Sequence, residues 1–287
     1  MRNICLAGLI WAVSTPVFAA EQTQDNRWEI GISGGTTMIG DSDDQSYIAG
    51  SVTREIGDAY IGIAASFTDP TATQGFLRTV PARTQQITLF GGIRLNAVSF
   101  GGRVSLGRRK FDTESLGSED TPVLVDSSGQ IFGAGLTLTY DIPVGEYGFF
   151  SPSVSVDYDS VDIGRLATAP NGRLLTVEER EDGFSGSLAF SYVHLFGESA
   201  AHSAGPYIAI VASSNSTVFS PGTGGERVAQ LAAIRNAPGE GDVWMEVGGS
   251  ASFGLSENLR LNLSATQTLG FVGPEAISLN AGLSLRF

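Results

Sequence analysis

From residue 27 to the last residue, apolar and polar side chains alternate with a period of two, segment after segment. The final segment puts Ile277, Leu279, Ala281, Leu283, Leu285 and Phe287 on one face and Ser278, Asn280, Gly282, Ser284 and Arg286 on the other. Successive side chains of a β-strand point to opposite sides, so this pattern predicts strands with one apolar face. Leu259, Leu261, Leu263 and Ala265 alternate in the same way with Arg260, Asn262, Ser264 and Thr266, and Phe132 to Ile142 alternates with Gly133 to Asp141. The pattern predicts about twelve strands, near 27–35, 45–55, 59–68, 84–96, 98–110, 130–142, 147–159, 183–196, 205–215, 242–255, 258–269 and 275–287. Several exceed the ~9–11 residues that a tilted strand needs to cross a bilayer, and an even strand number suits a bacterial membrane barrel.

The connections alternate too. Those after the second, fourth, sixth and tenth strands are tight: Ile56-Gly57-Asp58, Ala97, Pro143 to Glu146, and Ser256-Glu257. Those after odd-numbered strands are longer, up to Ser216–Gly241. Short turns at one end and long loops at the other are the periplasmic and extracellular ends of an outer-membrane barrel. Two connections depart from the rule: the turn after the eighth strand, Gly197–Ala204, is long, and the loop after the eleventh is short.

A soluble β-sandwich shares the strand rhythm. It is disfavoured by an apolar face that continues through nearly every strand and by an opposite face built of Gly, Ser and Thr with few charges. Aromatic residues near strand ends fit two interfacial girdles, with Trp28, Tyr60, Phe149 and Phe287 at one boundary and Phe67, Tyr158 and Phe184 at the other. The expected fold is all-β, a single antiparallel up-and-down transmembrane β-barrel of about twelve strands.

Composition narrows the setting. The chain has 287 residues, 37 glycines and a formal charge of −13. An acidic chain of this kind is not drawn to nucleic acid or to anionic lipid by bulk charge. Residues 1–20 resemble a cleavable secretory signal: Arg2, then an apolar run from Ile4 to Val13, then Pro16 and the small-residue pattern ending in Ala19. The apolar run is too short to span a bilayer. Cleavage would leave residues 21–287 as the barrel domain and remove Cys5, the single cysteine, so stability would not depend on a disulfide. Nowhere after Ala20 is there an apolar run long enough for a transmembrane helix.

The C-terminal octet, Asn280-Ala281-Gly282-Leu283-Ser284-Leu285-Arg286-Phe287, resembles the β-signal of Gram-negative outer-membrane proteins. Asn280, Gly282, Leu285 and Phe287 fill its polar, glycine, apolar and terminal-aromatic positions. The resemblance implies recognition by the barrel-assembly machinery and residence in the outer membrane of a Gram-negative bacterium, among its lipid and lipopolysaccharide. At this length and strand number the chain also looks like the translocator barrel of autotransporters or a small porin-like barrel.

Candidate chemistry outside the lumen is sparse. His202-Ser203 resembles the His/Ser arrangement of outer-membrane phospholipases and lipid A deacylases, but adjacent strand residues face opposite sides and the pair is expected in a periplasmic turn. Ser220 to Arg227 is Gly-rich before a helix-like run, Val228–Ile234, yet lacks a third fingerprint glycine and a P-loop lysine. It reads as a loop whose short helix packs at the barrel mouth. Asp41, Asp43 and Asp44 lack the spacing of a calcium loop. With Asp112, Glu114, Glu119, Asp120 and Glu178–Asp182 they are expected in acidic extracellular loops. No catalytic residue, cofactor or metal site is expected.

The function is sought in the lumen. Alternation places Glu29, Arg94, Arg103, Asp157, Glu246 and Arg260 on the inward face, with no charge toward lipid near midstrand. Arg260 is expected to pair with Glu246 on the adjoining strand, and arginines on one wall are expected to face carboxylates on another. Such a lumen fits a narrow passive pore for small hydrophilic solutes. The alternatives are an autotransporter-type translocator barrel without a passenger, since only Glu21–Arg27 precedes the first strand, and a closed structural or adhesive barrel acting through its loops.

Overall fold

A computed structural model of the chain describes residues 5–6, 16–17, 26–39, 45–69, 82–111, 128–168, 174–215, 241–270 and 275–287. Twelve antiparallel strands close into one barrel. In chain order they are β1 (Asn26–Ile39), β2 (Gln45–Ile56), β3 (Ala59–Asp69), β4 (Ala82–Leu95), β5 (Val98–Phe111) and β6 (Ser128–Tyr140). There follow β7 (Gly148–Thr168), β8 (Leu174–Phe196), β9 (His202–Ser213), β10 (Asp242–Gly254), β11 (Leu259–Leu269) and β12 (Ala276–Arg286). Each strand pairs with its neighbours in sequence, and β12 pairs with β1 from Ala276↔Ile39 to Arg286↔Glu29, which closes the ring. Closure leaves no free edge in the wall and lets the strands satisfy one another's backbone groups without water, as a hydrocarbon environment demands.

The two faces sort as the alternation requires. Ile30, Ile32, Ile63, Leu89, Leu106, Leu136, Leu138, Leu263 and Leu283 are exposed on the outside. Their strand neighbours Thr88, Ser105, Thr139, Ser153, Ser252, Asn262, Ser264, Ser278 and Ser284 are buried inside. For a soluble protein this would be inverted; against lipid it is the arrangement that keeps polar groups out of hydrocarbon. The tight turns enter the left-handed backbone region at Gly57 (φ 59°) after β2, Asn96 (φ 56°) after β4 and Gly145 (φ 68°) after β6; glycine does so without strain, and asparagine more readily than most residues.

Several expectations are corrected. After Asp141 the β6 chain continues as Ile142–Val144, paired with Gly148–Phe150, so Pro143 and Val144 are in the ladder and the turn is 145–147. Strands β7 and β8 run on far beyond the expected 147–159 and 183–196, holding register from Gly148↔His194 to Thr168↔Leu174. Glu178–Asp182 therefore lie in a strand, opposite Ser160–Gly164, and not in a loop. The last β6 partner is Ile131↔Val161 and the last β9 partner is Ser213↔Ser185, so the upper hairpin stands clear of both neighbouring strands. Outside the membrane neither face must be apolar, which is why the alternation fades there.

His202 and Ser203 open β9 instead of lying in the turn, which is confined to 197–201 and carries a single 3-10 turn, Glu198–Ala200. Tyr60 and Phe149 leave the proposed girdle: register and burial put both side chains inside, Phe149 against Val193 and Leu195 and Tyr60 against Phe90. The periplasmic girdle is instead made by Trp28 and Phe287 together with Phe196, His202 and Phe253, whose rings lie 5.5–6.4 Å apart. At the outer boundary Phe132, Tyr158 and Phe184 form a second cluster, with centroids 6.2 and 4.9 Å apart.

Asp41–Asp44, Asp112, Glu114, Glu119, Asp120 and the 220–234 segment lie outside the described residues, except that the ladder register begins again at Gln45. Of the first twenty residues only a two-residue pairing is described, Cys5–Leu6 with Pro16–Val17.

Candidate functional site: the barrel lumen

The inward face divides into two walls. From β10 through β12 to β2 it is lined by Ser250, Ser252, Asn262, Ser264, Thr266, Ser278, Asn280 and Ser284, with Gly31, Gly35, Gly248 and Gly282 between them. These side chains bond sideways. Asn280 Nδ2 donates to Ser264 Oγ (3.2 Å) and Asn280 Oδ1 accepts from Tyr47 Oη (2.7 Å). Thr37 Oγ1 and Ser278 Oγ are 2.9 Å apart, and Ser252 Oγ donates to Asn262 Oδ1 at 2.8 Å. At midstrand this wall is neutral, hydroxyl-rich and mostly shielded from solvent; its charges, Glu246, Arg260, Arg286 and Glu29, lie toward the two ends.

The opposite wall carries charge. Arg103 on β5 donates from Nη2 (3.1 Å) and Nε (3.3 Å) to Asp157 Oδ1 on β7, and its Nη2 lies 3.8 Å from Asp159 Oδ2. The strand between them, β6, presents Gly133 and Gly135 at this level, opposite Asp159 and Asp157. A Cβ at Gly133 would collide with Asp159 Oδ1, and one at Gly135 with Asp157 Oδ1. The two glycines are therefore the floor across which β5 and β7 exchange charge. Thr88 and Ser105 extend this group through a 2.9 Å hydroxyl contact.

Each end has its own polar node. Toward the long-loop end, Glu246 accepts from Trp244 Nε1 (3.1 Å) and Tyr207 Oη (3.3 Å), beside the apolar cluster of Ile131, Val161 and Val211. Glu181 accepts from Asn215 Nδ2 (3.3 Å), and the inward Arg109 donates to the Asp162 carbonyl (3.0 Å). Toward the short-turn end, Arg286 Nε is 2.6 Å from Glu29 Oε2. Arg260 donates to Ser252 Oγ (3.2 Å) and to the Ala201 carbonyl (3.0 Å), tying the β8–β9 turn to the lumen. Asp141 accepts from Ser151 Oγ (2.6 Å), and the Arg94 guanidinium stands 5.6 Å from the Tyr60 ring centroid.

The register puts Glu29, Arg94, Arg103, Asp157, Glu246 and Arg260 on the inner face. It brings Arg103 onto Asp157, and it sets Glu29 and Arg286 close enough to Arg260 to act on its charge. The expected Arg260–Glu246 pair does not form: Glu246 sits opposite Thr268 and Arg260 opposite Gly254, so they occupy opposite ends of the hairpin. Nor do arginines and carboxylates occupy separate walls, because Arg103 and its two aspartates share one. Asp159 and Arg286 were absent from the expected set, although each follows a chosen or polar-face residue by two positions. Trp244 and Tyr207 were also absent; nothing in the chain sets an inward aromatic apart from a girdle one.

At the seam, Trp28 N–H donates to the Phe287 carbonyl (2.9 Å) and Phe287 N–H to the Trp28 carbonyl (3.0 Å). Asn280 and Gly282 face inward along this seam, and Leu285 and Phe287 face outward. His202 faces outward among aromatic rings and Ser203 is buried inside, so the two do not meet.

The autotransporter beta-domain family matches residues 28–266, most of the barrel. The chain belongs to that family. As an autotransporter β-domain it has the fold of solved relatives at low identity. The β domain of the Bordetella autotransporter Brka superposes with a TM-score of 0.59 at 13% identity, covering 92% of this chain and 99% of that one. The translocator domain of NalP from Neisseria meningitidis gives 0.60 at 11% identity, covering 92% and 89%. An outer-membrane channel from Pseudomonas putida F1 gives 0.51 at 10%, covering 93% and 97%. No curated protein matches the chain. This autotransporter β-domain is thus an outer-membrane barrel of Gram-negative type.

Proposed function

We propose that the barrel is a narrow passive pore for small hydrophilic solutes. The observation that supports this is the neutral midstrand lining of Ser, Thr, Asn and Gly on β10–β12, β1 and β2, across from the Arg103–Asp157–Asp159 group. Small polar side chains in a barrel of intermediate strand number leave a wettable path, whereas eight strands would be filled and 16–18 would be wide. Glu29, Arg94, Arg103, Asp157, Glu246 and Arg260 are the proposed lining charges. Liposomes holding the purified full chain should swell in arabinose and resist swelling in a trisaccharide. Exclusion of arabinose by a correctly folded barrel would refute the reading.

The family match favours a second reading, a translocator-type barrel for an extended polypeptide. It would be supported by surface display of a reporter segment fused ahead of residue 26, with no sugar flux through the unfused barrel. In either case we propose export through the 1–20 leader, assembly through the Asn280, Gly282, Leu285 and Phe287 signal, and residence beside lipopolysaccharide.

A further inference from the structure

The outside of the barrel is not uniformly apolar. At the long-loop rim of β4 and β5, Arg83, Arg108 and Lys110 all point outward and are exposed. Arg83 is directly opposite Lys110 in the ladder, and Arg108 lies one outward position nearer midstrand. Directly opposed side chains have Cβ atoms ~4.5–5.5 Å apart and diagonal ones ~7–8 Å, so the three charges stand within one headgroup's width. Like charges in such positions repel. Arg108 is held only by Ser128 Oγ (3.2 Å), and among the described residues no carboxylate lies within ion-pair reach of Arg108 or Lys110. Asp162, on β7, is turned to the backbone N–H of Gln130 (2.8 Å).

The concentration is local. Lys110 is the single lysine of a chain with 17 cations against 30 carboxylates. The other described outward arginines are engaged: Arg54, at the opposite rim, stacks 5.3 Å from the Trp28 ring centroid, and Arg180 donates to Ser160 Oγ (2.9 Å).

Directly below the cations the surface is grooved. Phe67, Gln85 and Arg108 form one cross-strand row, which puts Arg108 at the level of an outer-boundary aromatic. The next row toward midstrand runs Ile32, Gly50, Ala65, Ile87 and Leu106. Gly50 and Ala65 are a cross-strand pair without bulk, flanked by exposed isoleucines, and they floor a groove of about 930 Å³ that reaches Gln85 and Arg108. A hydrocarbon-lined groove whose headgroup end carries Arg108 and Lys110, neither of which meets a carboxylate among the described residues, is complementary to an anionic amphiphile and to nothing wholly polar or wholly apolar.

We infer that Arg108 and Lys110, with Arg83 opposite, cap a lipid-binding site on the outside of the barrel. Its ligand is an outer-leaflet glycolipid with headgroup phosphates and several acyl chains: phosphate on the cations, one chain in the Gly50–Ala65 groove. The site is independent of whether the lumen conducts.

The test uses the full chain in neutral detergent and native mass spectrometry, with bis-phosphorylated lipid A, dephosphorylated lipid A and inorganic phosphate as separate probes. Phosphorylated lipid A should bind saturably, and Arg108→Gln with Lys110→Gln should weaken it at least tenfold. Ala65→Phe, which fills the groove and leaves the charges, should weaken it several-fold, while Arg54→Gln at the other rim should not. Dephosphorylated lipid A should bind the parent at least tenfold more weakly than bis-phosphorylated lipid A does. That comparison needs only the parent protein, so it decides even if the variants fail to fold. Equal binding of the two lipids by the parent, or full displacement of lipid A by inorganic phosphate alone, would overturn the assignment.

Discussion

The carboxylate of Asp157 occupies the space that a β-carbon on Gly135 would fill. The ion pair with Arg103 therefore depends on a residue that contributes no side chain. Gly135→Ala should push Asp157 off Arg103 and destabilise the barrel as removal of either partner does, by about 3–5 kcal/mol for a shielded pair. The temperature at which unboiled protein loses its compact electrophoretic mobility should fall for Gly135→Ala and for Arg103→Ala alike. A Gly135→Ala barrel as heat-resistant as the parent would show that the pair adds no stability.

The sorting of faces can be tested at adjacent residues. Leu263 is 38% exposed on the outside and Ser264 is buried inside, bonded by Asn280. Leu263→Arg should cost about 2–4 kcal/mol near the bilayer midplane and deplete folded barrel from the outer membrane. Ser264→Asn should be tolerated. The reverse outcome would mean that β11 is one residue out of register.

Glu246 accepts from the buried Trp244 Nε1 and from the partly buried Tyr207 Oη. Glu246→Ala removes the acceptor of both bonds and should cost about 1–3 kcal/mol, whereas Glu246→Gln keeps an acceptor and should cost less. Trp244 is only 1% exposed, so its fluorescence should shift to the red in the alanine variant. An unshifted spectrum would mean that the node survives without the carboxylate.

Deleting Phe287 removes an outward aromatic and both backbone hydrogen bonds that it exchanges with Trp28 across the closing seam. Outer-membrane levels should fall sharply, read by immunoblot of membrane fractions. Unchanged levels would remove the seam and the terminal aromatic from any role in assembly.

The strand order was legible in the chain because lipid and lumen impose opposite demands on consecutive residues from Trp28 to Phe287. Where that demand ends, so does legibility: residues 162–168 and 174–180 pair with each other beyond the last pairs with the neighbouring strands and looked like loop. Facing could be read but height could not. Glu246 and Arg260 share a wall and adjacent strands, yet eight ladder positions at about 3.4 Å each separate them, which no alternation reveals. Tyr60 and Phe149 failed for a related reason, since an aromatic at a strand end satisfies a girdle or a lumen cluster equally well until its partners are known.

The central claim is that the wall between the neutral and charged faces leaves a water-filled path. Single-channel recording of the purified full chain in planar bilayers addresses it directly. The account predicts small, discrete conductance steps, enlarged when Arg103→Ala is combined with Asp157→Ala, since both side chains then leave the lumen together and Asp159 alone remains of that group. A folded, heat-modifiable barrel that inserts without any resolvable conductance, in parent and double variant alike, would contradict it.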